Sequence, residues 1–229
     1  MTAPSPLWFV TRGAGTVSLV LLTVVVVLGI ATTTRQSSDR WPRFLSPRLH
    51  SNLALATIVF LLLHIATAVL DPFAHLRWQD AIVPFGASYR PLWLGLGVVA
   101  AELVAALAIS SAVRPYIGYR AWRVVHWIAY ACWPVGLLHG LGTGSDVRSG
   151  WFELIDAVCV GAVASTVVAW RLAHGWPQAA RFRTLTAMGS GVGIVVLILW
   201  MLNGPLAPGW ARAAGTPPDL LHTTASSSR

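Results

Sequence analysis

Four histidines lie inside apolar stretches as two matched pairs, His50 with His64 and His126 with His139. The members of the pairs are 14 and 13 residues apart. At about 1.5 Å of rise per helical residue, either interval spans roughly 20 Å, about two-thirds of a ~30 Å hydrocarbon core. Two such helices side by side present imidazoles at two depths. A neutral imidazole nitrogen is a good axial ligand for haem iron, and helix bundles commonly hold such a cofactor between facing helices. The pattern predicts two haems stacked across a membrane, one between His50 and His126 and one between His64 and His139. Imidazoles on both sides of the iron leave no position open to substrate, which favours electron transfer over oxygen chemistry. There is no C-x-x-C-H attachment motif, so the haems are expected to be non-covalent, of b type.

Two other readings compete. A buried ionisable residue in hydrocarbon is costly and marks function by default. A neutral histidine bonded to a neighbouring helix explains one such residue more easily than four at matched depths. A metal-ion transporter is the rival from another functional class. Ligands for one ion must converge, which on a single helix calls for i, i+3 or i, i+4 spacing. Histidines 14 apart can share an ion only across helices, at two separate sites.

The elements that carry these residues are membrane helices. The chain has 229 residues, 55% hydrophobic and 10% charged, with a mean hydropathy of +0.65. Soluble domains carry about 25% charged residues, so this is an integral membrane protein. The net charge of +8 comes from arginines lying between apolar runs rather than along one face, which argues against nucleic acid. Cys132 and Cys159 both fall in apolar segments and make neither a disulfide framework nor a thiolate site. Six apolar runs are long enough to span: Gly13–Ala31, Leu49–Leu70, Leu92–Ser111, Val124–Gly142, Phe152–Trp170 and Leu185–Asn203. The expected organisation is an outer N-terminal segment (1–12), an all-α six-helix haem domain (13–203) and a disordered outer tail (204–229) rich in Pro, Ala and Ser.

Arginines set the direction. Arg35, Arg40, Arg43, Arg48, Arg114, Arg120, Arg123, Arg171, Arg181 and Arg183 follow the odd-numbered runs, and fewer lie on the other side. The positive-inside rule then puts both termini outside a cell (inner or plasma) membrane, with His50 and His126 near the cytoplasmic face and His64 and His139 near the outer one. Arginine forks suit anionic haem propionates. Arg48, Arg120 and Arg123 on the inner side and Arg90 and Arg148 on the outer are candidates, with topology alone as the plainer explanation.

One spacing is awkward. A 14-residue step returns to within about 40° of its starting face, whereas a 13-residue step lands about 140° away. Pro134 lies between His126 and His139 and is expected to kink the helix and bring His139 back. Gly136 and Gly140 flank His139, where a flat macrocycle needs room or two helices pack closely. Trp127 and Trp133 are candidate porphyrin neighbours or ordinary interfacial aromatics, and Glu102 is a candidate partner for a ligand's second nitrogen or a proton carrier. His75, His174 and His222 have no assigned role.

With the double histidine pair, Arg48-Leu49-His50 and Arg123-Val124-Val125-His126-Trp127, the chain resembles the ferric reductase-like transmembrane domain of ferric reductases and NADPH oxidases. The resemblance implies a dihaem b-type oxidoreductase subunit passing electrons across the bilayer, with His50, His64, His126 and His139 as axial ligands. The reductases continue into FAD and NADPH domains, and no such site is legible here; Gly189 to Gly193 lies in an apolar run and reads as helix packing. The chain is therefore expected to need a separate donor, a flavoprotein or a quinol, and an outer-face acceptor. The haem-binding membrane subunit of a periplasmic methionine sulfoxide reductase is the alternative role.

Overall fold

The computed structural model describes residues 5–33, 45–144, 149–173 and 180–225. Arg35, Arg40, Arg43, Arg148, His174 and Arg229 lie outside the described residues. Those described are helical, without strands: α1 Pro6–Thr33, α2 Leu45–Leu70, α3 Pro91–Ala112, α4 Arg114–His126, α5 Ala129–Thr143, α6 Gly150–Ala173, α7 Ala180–Asn203, α8 Trp210–Ala213 and α9 Pro218–Ala225. Among the described residues, four stretches are long and apolar enough to cross a membrane: Pro6–Ala31, Pro47–Leu70, Pro91–Ala112 and Gly150–Trp170. A fifth exists if α4 and α5, bent by 47°, make one span. The protein is thus a multi-pass helical membrane protein. Of the expected sixth span, Gly191–Asn203 in α7 appears as a shorter apolar helix.

The chain forms two compact units. The first comprises residues 1–19, 57–145 and 209–229. Ser5 starts α1 as its N-cap: its hydroxyl oxygen accepts Trp8 N–H at 3.1 Å while its O–H donates to Asp71 at 3.1 Å. Pro6 follows at the first helical position, where its missing N–H costs nothing. Thr11 donates to Thr67 across the same two helices at 2.9 Å. The early part of α1 is thereby held against the late part of α2. Packing of α3 along α5 supplies the rest of this core, with Val98, Cys132, Trp133, Leu137 and Leu141 buried. Gly142 has no side chain because the Trp93 ring occupies that place.

Arg90 ties three segments of this unit together. It is only 4% exposed, has left-handed φ at 43°, and precedes Pro91 at the start of α3. Its guanidinium donates to the Gly142 and Thr143 carbonyls, both at 3.0 Å, and to the Thr216 hydroxyl at 2.9 Å. Those carbonyls end α5, where a cation also meets the negative end of the helix dipole. Within the tail whose composition reads as disordered, Trp210–Ala213 and Pro218–Ala225 are helical. Trp210 packs on Trp93 with ring centres 5.3 Å apart, its Nε1 donates to Gly142 O at 3.3 Å, and Leu220 is buried. A few apolar anchors outweigh the polar average of the segment.

The second unit comprises residues 20–56 and 146–208, with α6 against α7 and with Ile30 and Cys159 in its interior.

Between α2 and α3, Asp80 closes a capping box on a short 3₁₀ turn, Trp78–Ala81. Its carboxylate accepts Arg77 N–H at 2.9 Å and the guanidinium at 3.0 and 3.3 Å. The guanidinium bond first, and the backbone bond second, hold the Asp80 carboxyl below its ordinary value. A folded-state value below the unfolded one, ordinarily about 3.9, contributes stability above that pH and loses it as pH falls towards the folded value. Amide protection in this connection, corrected for intrinsic exchange, should stay level from neutral pH to about 5 and drop below about 4. Asp80→Asn should lower protection at neutral pH and remove the acid step. Arg90→Leu, which strands two carbonyls and a hydroxyl, should cost about 2–3 kcal/mol in equilibrium unfolding, and Arg90→Lys less.

Candidate functional site: carbonyl-locked imidazoles

The four histidines divide between the units: His50 belongs to the second, and His64, His126 and His139 to the first. In the first unit the His64 and His139 rings stand 6.2 Å apart between centres, with planes at 79°. Two metal–imidazole bonds of about 2 Å each, plus half a ring on either side, sum to about 6 Å. The observed separation of the ring centres equals that sum.

Their second nitrogens are spoken for. His64 Nδ1 lies 2.7 Å from Thr11 O, and His139 Nδ1 lies 2.9 Å from Trp93 O. In the second unit His50 Nδ1 lies 3.1 Å from Val25 O. A carbonyl only accepts, so Nδ1 carries the proton in each case, and the neutral ring keeps its lone pair on Nε2. Backbone carbonyls therefore play the part expected of Glu102, whose side chain is exposed on α3. Metal-binding histidines almost always donate their other N–H in this way, which orients the ring and raises its basicity.

Each acceptor has a glycine four residues further along its helix: Gly15 after Thr11, Gly29 after Val25, Gly97 after Trp93. A Cβ at Gly15 would lie 2.9 Å from Nδ1 and Cε1 of His64, and one at Gly97 would run into the His139 ring. At Gly29 it would make an ordinary contact with His50 Cε1, at 3.5 Å. None of these glycines stood out in the sequence, because glycine in an apolar helix reads as general packing. The usable signal was the 14-residue interval between Gly15 and Gly29, equal to that between His50 and His64.

His126 ends α4 and stacks on Trp122, ring centres 4.7 Å apart and planes at 29°. The Arg114 guanidinium lies over the Trp122 ring, 4.5 Å from its centre. Residues 114–123, expected to connect two spans, are helical, interrupted where Gly118 takes φ 78°. The expected kink exists, but it lies at Trp127–Ile128, upstream of Pro134, which sits inside α5. Pro134 offers Tyr130 O no N–H, and the turn before it tightens to i→i−3 bonds from Tyr130 N to Trp127 O (3.1 Å) and from Ala131 N to Ile128 O (2.9 Å). The ideal-helix phase of a 13-residue step does not apply across such a break.

Of the arginines proposed for propionates, Arg90 has its guanidinium on the end of α5, while Arg48, Arg120 and Arg123 are exposed. Trp133 is buried and Trp127 is exposed. A Cβ at Gly140 meets nothing within 4 Å, so this glycine marks open space rather than a helix contact among the described residues. Among those residues, no three His, Cys, Asp or Glu side chains converge on one point.

The described residues form apolar helices of membrane length, and the His64 and His139 rings lie close together across two of them. The ferric reductase like transmembrane component profile matches residues 14–137, more than half of the chain, and the protein belongs to that family. The match contains His50, His64 and His126 and ends two residues before His139. Comparison with curated proteins and with solved structures gave no match.

The tautomers are directly measurable. ¹⁵N chemical shifts of selectively labelled histidine should report the Nδ1–H form at His50, His64 and His139. An Nε2–H form at His64 or His139 would contradict the carbonyl lock.

Proposed function

We propose that the protein is a transmembrane electron-transfer subunit that holds two b-type haems, with His64 and His139 as the axial ligands of one and His50 and His126 of the other. The 6.2 Å spacing of the His64 and His139 rings carries this reading. Family membership supports it, since haem in the membrane domain is a property of these reductases. When bound, each haem supplies a one-electron Fe(III)/Fe(II) couple. The Thr11 and Trp93 carbonyls keep the ligand proton on Nδ1 and leave the lone pair of each ring on Nε2.

In this reading the chain lies in a cell membrane with both termini outside, His64 and His139 near the outer face. Electrons are exchanged with a separate flavoprotein or quinol on one side and an acceptor on the other. Service to a periplasmic methionine sulfoxide reductase is one such pairing, resting on resemblance alone.

Pyridine haemochrome assay of the purified chain should give two haems per protein. His64→Ala and His139→Ala should each remove the same haem, His50→Ala and His126→Ala the other, so that redox titrations fall into two classes. A folded preparation without haem would sink the proposal. Loss of one spectral component by both His50→Ala and His64→Ala would refute the pairing across helices.

A further inference from the structure

We propose that Gly15 and Gly97 are positioning residues for the imidazoles of His64 and His139. The missing side chain four residues after each acceptor opens the carbonyls of Thr11 and Trp93 to the ring, and so sets ring depth, ring plane and proton position.

In an α-helix the carbonyl of residue i already accepts from the N–H of i+4. A second donor must approach that oxygen from the flank of the helix. At Thr11 and Trp93 the donor is an imidazole lying against the helix surface, and a side chain on residue 15 or 97 would occupy the same space. The three atoms nearest a Cβ at Gly15 are Cε1, Nδ1 and Cγ of His64; at Gly97 they are the same three atoms of His139. A glycine serving helix packing meets something else. Gly142 meets the Trp93 ring and Gly95 meets the Phe85 ring, while Gly13, on the same helix as Gly15, meets nothing within 4 Å.

The contacts are graded. Gly97 leaves no room at all, Gly15 is tight at 2.9 Å, and Gly29 beside His50 has ordinary clearance at 3.5 Å. Alanine therefore has three different effects at three equivalent positions. At Gly97 it forces the ring off the Trp93 carbonyl; at Gly15 it shifts the ring by a few tenths of an ångström; at Gly29 it is accommodated. Backbone strain plays no part, because all three glycines are ordinary helical residues.

This inference rests on the haem reading for its functional consequence, but the contact itself does not, and the test separates the two. Gly97→Ala, Gly15→Ala, Gly29→Ala and Gly13→Ala are made in the full chain with haem. Low-spin ferric EPR depends on the angle between the two ligand planes. The signal of the His64/His139 haem should move in Gly97→Ala and, less, in Gly15→Ala, with the other haem unchanged. Haem affinity at that site should fall by about tenfold or more in Gly97→Ala, the usual effect of losing a ligand's outer partner. Its potential should shift by about 59 mV for each tenfold change in relative affinity of the two oxidation states. Gly29→Ala and Gly13→Ala should match the wild type. Wild-type EPR and potentials in both Gly97→Ala and Gly15→Ala would overturn the proposal, as would an equal change in Gly13→Ala. If Gly97→Ala does not assemble, the milder Gly15→Ala decides. If the wild-type chain binds no haem, the haem reading fails. The glycine assignment is then judged by ¹⁵N shifts: loss of the Nδ1–H form at His64 in Gly15→Ala supports it, and retention overturns it.

Discussion

The bond from an imidazole Nδ1–H to the carbonyl of a neighbouring helix is the constraint on which the site depends. A histidine in an apolar bundle must place one N–H and one lone pair. Leaving either buried without a partner costs energy comparable to a lost hydrogen bond, with no water nearby to relieve it. At His64 and His139 the helix backbone takes the N–H, and the lone pair of each ring stays on Nε2. A carboxylate could have held the N–H as well, but it would add a buried charge. A helix carbonyl is neutral and rigid, and its position is fixed by the helix.

That choice places demands on the helices. At Thr11 and Trp93 the ring lies where a side chain on Gly15 or Gly97 would stand, so glycine appears there within α1 and α3 despite its cost in a helix interior. The rings must also meet at one depth. On the α1–α2 side this is secured at the helix ends by Ser5 and Asp71 and laterally by Thr11 and Thr67. On the α3–α5 side it is secured by Arg90, which holds the end of α5 near the start of α3. The hydrophobic effect does not drive helices together inside a bilayer, so polar contacts and close packing do this work. The break at Trp127–Ile128 lets α4 and α5 take different directions, and His126 ends the first while His139 lies within the second.

Much of this was legible in the amino-acid sequence, and for physical reasons. Long apolar runs can only be helices in a bilayer, because every backbone polar group must be satisfied within the segment. Four runs were found nearly where expected, with α1 beginning earlier, at Pro6. The histidine pairs were legible because an ionisable residue in such a run is expensive enough to demand an explanation. Less legible was anything set by contacts distant in sequence. Residues 204–229 average to a disordered composition, yet Trp210 finds Trp93, which no local window contains, and Leu220 is buried. Arg90 read as one more outward arginine, and only the fold brings the end of α5 to it.

What the sequence determined by itself is the kind of protein: helices of membrane length, ionisable ligand-type residues spaced to two depths, and a family resemblance upheld by residues 14–137. Both hydrophobic length and spacing are one-dimensional properties. Which carbonyl each imidazole meets, which of twenty glycines stands beside it, and where the helix breaks were decided by the tertiary structure. A glycine carries no side chain to mark its purpose, and its meaning lies in what another helix places against it. The same holds for a backbone carbonyl, which every residue has. Chemistry that uses the backbone as its partner leaves no letter in the sequence.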